Sequence, residues 1–375
     1  MSLLFICITL IYLVLIGSFI IGFDKVELFT ISDIKPKTTF SIIIPFRNEA
    51  ENLPELLASL KLLNYPKHLF EVLCIDDDSN DNSVALLSKF LETHPELQIR
   101  ILNNIRVSNS PKKDAITSAI KTSQFNWIVT TDADCILPKY WLDSFDTFIQ
   151  QKTKELVIAP VTYTDINSGL KRFQLLDFLS LIGATVGGFG IKKPFLCNGA
   201  NLAYSKQLFN TVNGFKGNDT IASGDDIFLL EKALQLNKSS VGYLKSQHAI
   251  VQTKPQPNWK TLIAQRKRWA AKTSSYKSLF GKLTGLIVLT MNGALICALT
   301  LTILGLFNLR MFLYLFIIKS GVDFLLLSKT SQFFNQERYL KAFIISSIVY
   351  PFFSVYIAFI SLFTTYKWKD RTFSK

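Results

Sequence analysis

At 375 residues, with 49% hydrophobic and only 18% charged residues, the chain is more apolar than a soluble domain of its size. Its formal charge of +13 suits anionic lipid or a phosphorylated substrate; nucleic acid is set aside as a partner, because no zinc-finger spacing or aromatic RNA-binding signature accompanies the basic residues beside the apolar spans. Five scattered cysteines without a CxxC pair and three distant histidines argue against a disulfide framework or a zinc site, and for a reduced main domain.

The run from Leu3 to Gly22 is almost continuously apolar, and about 20 residues suffice to span a bilayer core. Lys25, Lys35 and Lys37 follow it and no charge precedes it, so residues 1–22 read as a membrane helix with the next domain in the cytoplasm. Residues 39–270 then alternate. Phe40–Pro45 is a β-branched run typical of a buried parallel strand, followed by a helix at Glu49–Leu63 with leucines at helical spacing. Phe70–Ile75, Ile99–Leu102 and Trp127–Thr130 read as further strands, with helices at Ser83–Glu92 and Lys112–Lys121 between them. This alternation predicts a doubly wound α/β sheet whose ligands bind beyond the C-terminal strand ends.

The apolar stretch Leu170–Ile191 reads either as an interfacial element or as a buried helix. Residues 283–365 hold three more apolar stretches, Leu283–Phe307, Met311–Leu327 and Ala342–Thr365. The middle one is short and contains Lys319 and Asp323, as a re-entrant or tightly packed helix would. Three full crossings would leave the basic tail (Lys367, Lys369, Arg371, Lys375) outside, against the charge rule, so two crossings are expected and one segment in or on the membrane.

Chemistry-bearing residues cluster just past the strands. Asp76-Asp77-Asp78-Ser79 follows the second strand, where carboxylates bind a base or ribose, or simply form a solvated turn before the Ser83 helix. Asp132 and Asp134, at i and i+2 after the Trp127 strand, can converge on one hard cation such as Mg²⁺ or Mn²⁺. Asp225 and Asp226 precede a helix, as a cap or as a general base. In Gln265-Arg266-Lys267-Arg268-Trp269, helical spacing puts Gln265, Arg268 and Trp269 on one face that offers an amide, a cation and an aromatic platform. From Ala249 to Lys282 there are eight Lys or Arg and no Asp or Glu, a composition that also suits anionic headgroups.

In these motifs the sequence resembles the membrane-bound family 2 glycosyltransferases, the branch of the cellulose, hyaluronan and poly-N-acetylglucosamine synthases and the ceramide glucosyltransferases, from about Ser41 to Trp269. SIIIPFRNEAENL is similar to the family's opening strand and turn and implies Glu49 near the nucleotide; CIDDDSNDNS implies Asp77 at the uridine; SPKKDAI implies Lys112 as the donor-side lysine. TDADC implies Asp132 and Asp134 at metal and diphosphate, FLCNGANLAYS implicates Asn198 and Gly199 on the acceptor side, and SGDD makes Asp226, with Asp225, the candidate base. QRKRW fits the QxxRW signature, assigning Gln265, Arg268 and Trp269 to donor and acceptor. Asp78 and Pro111 stand where members often have Gly, and Asp225 replaces the commoner Glu.

The resemblance implies a GT-A fold (the family's nucleotide-sugar-binding α/β domain), a divalent metal (Mg²⁺ or Mn²⁺), a nucleotide-sugar donor, a UDP-sugar being favoured by resemblance alone, and a cytoplasmic catalytic domain on a bacterial inner membrane. Transfer to a lipid-linked or saccharide acceptor is the expected activity. A processive polysaccharide synthase, with an accessory membrane subunit completing its pore, is one alternative. A catalytically silent membrane scaffold that binds nucleotide is another, although a scaffold needs none of these charges.

Overall fold

The computed structural model describes residues 2–219, 221, 223–272 and 275–363, with the backbone of 366–368 and 371–373. Helix α1 (Ser2–Lys25) leads into β1 (Phe40–Phe46), α2 (Leu53–Lys61), β2 (Phe70–Asp76), α3 (Ser83–Thr93), β3 (Ile99–Asn103), α4 (Pro111–Thr122) and β4 (Trp127–Thr130). The strand–helix alternation of the sequence is therefore present. Helix α2 begins later than the leucine spacing predicts, because Glu49–Asn52 is spent on a turn whose backbone amides bond to the β2–α3 loop.

After β5 (Cys135–Ile136) and α5 (Trp141–Lys152) come β6 (Leu156–Ile158), β7 (Val161–Tyr163), α6 (Gly169–Gly190), β8 (Leu202–Ser205), α7 (Lys206–Thr211), α8 (Asp225–Leu236), β9 (Val241–Tyr243) and β10 (Val251–Thr253). The main sheet has the order β3-β2-β1-β4-β8-β6-β9. The four strands from β3 to β4 are parallel, and β1 lies at the switch point where successive strands depart to opposite sides. Strand β8 runs against both β4 and β6, so the sheet is mixed. The chain enters β8 beside the end of β4, with Leu202 opposite Thr130. A small second sheet has the order β5-β10-β7, with β10 antiparallel to β5 and parallel to β7.

Helix α9 (Trp259–Ala271) carries the chain to α10 (Leu279–Ile303), α11 (Leu309–Phe333) and α12 (Phe343–Phe363). Among the described residues five helices are long and apolar enough to cross a membrane: Ser2–Lys25, Gly169–Gly190, Leu279–Ile303, Leu309–Phe333 and Glu337–Phe363. Helix α6 differs from the others in being 72% buried, so it fits the buried-helix alternative. It meets α1 at a glycine seam. A Cβ on Gly187 would stand 2.5 Å from the Phe19 carbonyl oxygen, and one on Gly190 would collide with Gly22. Only glycine permits this backbone approach.

Helix α11 is 25 residues long, as long as α10, and so exceeds the short stretch expected at 311–327. The polar residues that break up its hydropathy are paired: Lys319 with Asp323 at 2.8 Å and Lys329 with Asp24 at 2.8 Å. The connector after α11 docks on the α/β domain, where Gln336 donates to the Tyr163 carbonyl and accepts from Thr162. Helix α12 begins with Phe343 against Phe324 and continues to Phe353 against Phe173 and Trp259. Beyond it a backbone ribbon, β11 (Tyr366–Trp368) with β12 (Arg371–Phe373), lies beside α9.

Candidate active site

The turns after β1 and β2 are laced together by side chains. Asn48, at φ 52°, bonds through its amide N–H to Ser79 and through Oδ1 to the Asn80 N–H. The three successive aspartates separate in function. Asp76 accepts from the Ser79 N–H at 3.0 Å and holds the turn. Asp77 is buried and accepts from Asn104 and from Arg106 Nε, each at 2.7 Å. Asp78 points out, 79% exposed, towards Arg47 and Arg106. Two arginines thus offset the crowding of three carboxylates.

Beyond β4, Asp132 and Asp134 lie on the turn into β5. Burial pushes the Asp134 carboxyl up to about 6, helped by Asp132 and Glu49 and opposed by Lys112 and Thr253. Glu49 therefore belongs to the same electrostatic neighbourhood. This crowding of acids is what a bound cation relieves. Among the described residues no trio of His, Cys, Asp or Glu is arranged to enclose a metal. One or two carboxylates completed by water and substrate phosphate are the way Mg²⁺ is usually held, and the residues present fit that mode.

Lys112, in the first turn of α4, joins two parts of the site. Its Nζ lies 2.7 Å from Asp132 and 3.3 Å from Asp225. Burial alone would depress its ammonium, but Asp132 and Asp225 raise it above the ordinary lysine value. Asp225 responds in kind: burial works to raise it, while Lys112, Lys272 and Lys113 together hold it below the usual carboxylate range.

Helix α8 opens on Gly224, whose φ of 85° sets both acids in its first turn. Asp226 accepts from the Gly199 N–H at 3.2 Å and lies 3.5 Å from Lys272 Nζ. A side chain at Gly199 would displace the Asp225 carboxylate, since a Cβ there would stand 2.9 Å from Asp225 Oδ2. The Gly199 carbonyl accepts from Thr130, and the preceding Asn198 caps the short turn through Ala200 N–H. The N-cap position of α8 is Gly224, so Asp226 is not the cap; from inside the first turn its Oδ1 accepts from the neighbouring Ile227 N–H.

On α9 the expected residues Gln265, Arg268 and Trp269 line one cavity, and a further guanidinium, that of Arg266, stacks on Trp269, 4.3 Å from the ring. Arg266 is buried and its Nε donates to Asp177 of α6 at 2.7 Å. Spacing from Gln265 did not select Arg266, although its i, i+3 relation to Trp269 carried the signal. Asp177 carried one too, as the sole acid in an apolar helix. Arg106, Lys113 and Lys272 had no local signature.

One cavity of about 990 Å³ gathers Lys112, Asp132, Asp134, Asn198, Gly199, Asp225, Asp226, Gln265, Arg268 and Trp269. Glu49 and Asp77 lie outside its lining, in the laced turns beyond β1 and β2. From the α/β-domain end the cavity continues between α1, α6, α10, α11 and α12.

Residues 127–327, more than half of the chain, match the model of glycosyl transferase family group 2, and residues 41–211 match that of glycosyl transferase family 2. The chain belongs to the family 2 glycosyltransferases. Among curated relatives of this transferase, glycosyltransferase AglE of Haloferax volcanii is 25% identical over 193 residues, covering 52% of this chain and 60% of that protein. The poly-beta-1,6-N-acetyl-D-glucosamine synthase of Staphylococcus epidermidis is 25% identical over 153 residues, 38% of this chain and 33% of the synthase. These matches thus span less than two thirds of the relatives' lengths. The solved mannosyltransferase PcManGT of Pyrobaculum calidifontis, in complex with GDP-Man and Mn²⁺, superposes with a TM-score of 0.61 at 17% identity over 92% of this chain and 98% of that one. At that identity it establishes the GT-A fold.

Proposed function

We propose that this glycosyltransferase moves one sugar, or a few, from a nucleotide-sugar to a lipid-linked acceptor at the cytoplasmic face of a membrane, with inversion at the sugar carbon. The observation that carries this reading is the single cavity in which the acids beyond β4 and at α8 meet Trp269 and then open between long apolar helices. A route for an apolar molecule to a polar site is what a lipid acceptor requires.

In this reading Asp77, supported by Asn104 and Arg106, and Glu49 receive the nucleoside. Asp132 and Asp134 would hold a divalent metal, Mg²⁺ or Mn²⁺, which neutralises charge on the departing diphosphate. Lys112 lies within reach of the same charge, and Arg268 adds a second cation on the cavity wall. Asp226 takes the proton of the attacking hydroxyl, oriented by the Gly199 N–H. Asp177 and Arg266 fix the plane of Trp269, which shapes the acceptor end beside Asn198 and Gly199.

The topology that fits is α1, α10 and α11 crossing, with α12 staying at the catalytic side. Its support is the docking of Gln336 on Tyr163 and of β11 beside α9. This keeps two crossings after the catalytic domain and the basic tail in the cytoplasm, with α12 rather than the middle segment as the one in or on the membrane. A processive synthase is the second reading, supported by the similarity to the poly-N-acetylglucosamine synthase. Product length separates the two.

The test is nucleoside diphosphate release from purified membranes given UDP- and GDP-sugars with Mn²⁺, beside Asp226→Asn. GDP-sugars belong in the panel because the Pyrobaculum enzyme binds GDP-Man. Release from one donor, lost in the variant while donor binding persists, is the expected result. Full turnover by Asp226→Asn removes the base assignment. Absence of both binding and release for every donor removes the transferase mechanism drawn here.

A further inference from the structure

Deep in the helical part of the cavity lies a polar cluster that the transfer chemistry does not use. Lys319 Nζ is 2.8 Å from Asp323 Oδ2, and the Tyr12 hydroxyl donates to Asp323 Oδ1 at 2.6 Å. Lys319 also lies over the Tyr350 ring, 5.3 Å from its centre. All four residues line the cavity that holds Asp226. Lys319 is 1% exposed, while the Asp323 side chain, at 19%, faces the open space.

Charges in a helix of this apolarity are costly, and their retention needs a reason. The Tyr12 hydrogen bond ties α1 to α11 through Asp323, but Lys319 and Asp323 are one turn apart on α11, and a neutral partner for Tyr12 would join the two helices without the cost of two charges. The glycine seam already joins α1 to α6 without any charge. A second observation points to a ligand. Thr284 of α10 lines the same cavity, is buried at 8% exposure, and its hydroxyl has no hydrogen-bond partner among the described residues. A buried hydroxyl in that condition is destabilising unless something enters to satisfy it.

Polar groups thus descend the cavity from the catalytic end. Phe19 stacks on Phe195, three residues before Asn198, and Tyr12 lies two turns further along α1, about 10 Å deeper. A ligand touching Asp226, Thr284 and the cluster is elongated, with hydrogen-bonding groups below its reacting hydroxyl. It is also uncharged, because Asp323 cancels the charge of Lys319 and the cluster offers both donors and acceptors. A phosphate would want the cation alone.

Resting on the transferase reading above, we propose that the acceptor is an uncharged lipid, a glycerol- or sphingoid-based lipid or its glycoside, and that Tyr12, Thr284, Lys319 and Asp323 bind its hydroxyl, ester or amide groups. Recognition of the linkage region selects such lipids over a lipid phosphate, and lets Asp226 act on a hydroxyl that needs deprotonation.

The test uses the full chain in lipid nanodiscs with a diazirine-bearing diacylglycerol, cross-linked sites being mapped by mass spectrometry. Labelling is expected on α10 and α11, competed by dioleoylglycerol and not by a polyprenyl phosphate or chitotetraose. The double variant Lys319→Met/Asp323→Leu is expected to lower labelling about tenfold, the scale of a lost hydrogen bond to a charged group. Binding of UDP or GDP with Mn²⁺ in the same nanodiscs checks that the variant is folded. Should it lose that binding, Thr284→Val decides instead, with labelling expected to fall severalfold. Stronger competition by the polyprenyl phosphate or by chitotetraose, or labelling unchanged in a folded variant, overturns the proposal. Failure of the wild type to bind any nucleotide counts separately, against the transferase mechanism, and leaves the labelling result readable.

Discussion

At Lys113, beside the residue that bridges Asp132 and Asp225, the ammonium is buried and donates to the Asn218 and Ile221 carbonyls while lying 4.8 Å from the Phe228 ring centre. Burial pushes its value down to about 8, against the pull of Asp225 and Asp226. The unfolded chain keeps this lysine protonated to about 10.4. Between those limits the unfolded state binds the extra proton, so stability rises with pH across that window; below pH 8 the folded protein bears the full cost of the buried charge. Thermal unfolding of the wild type in detergent is expected to show this rise from pH 8 to 10, and Lys113→Met to flatten it. Equal slopes in the two proteins contradict the assignment. Neighbouring lysines in SPKKDAI give no sign of which one is buried away from the acids. Lys112 was legible through its resemblance, whereas the fate of Lys113 depends on a loop a hundred residues later.

Among the elements, α6 and α9 are fixed to each other by the buried Asp177–Arg266 pair under Trp269. Removing one member leaves a buried charge alone, so Asp177→Leu is expected to destabilise by about 3–5 kcal/mol. The double change Asp177→Leu/Arg266→Met is expected to recover most of that loss, because neither charge remains, but to lower turnover by releasing the Trp269 ring. Denaturation in detergent and nucleoside diphosphate release, measured on both variants, check the two halves of this statement. A double variant as unstable as the single one argues against it. The strands β1, β2 and β4 were legible because buried parallel strands read as short β-branched runs, and the acids follow them directly. The reversal of β8 was not, since FLCNGANLAYS has the same pattern in either direction. Nor was the length of α11, whose charges lower its hydropathy and find partners only once folded.

For the whole molecule, the proposed topology of α10 to α12 predicts opposite exposures for the two connectors. In a background lacking the exposed Cys7 and Cys297, Leu306→Cys is expected to react with a membrane-impermeant maleimide in intact cells. Arg338→Cys, on the connector that docks at the catalytic domain, is expected to react only after lysis. Reaction of both in intact cells would refute the topology. Charge counting raised the right question of parity, but the docking of Gln336, 173 residues from Tyr163, has no trace in local composition. The cavity was likewise invisible to the sequence: Tyr12 and Asp323 meet across 311 positions.

The seam of Gly22, Gly187 and Gly190 bears on the order in which the protein is made. The ribosome delivers α1 first, and its partner face on α6 emerges some 160 residues later. Lys245, which donates to the carbonyls of Phe23 and Val26 at the end of α1, follows later still. In the proposed membrane arrangement the catalytic half would complete its packing against a helix already in the bilayer, and a nascent chain whose first segment failed to insert would lack the surface against which α6 closes.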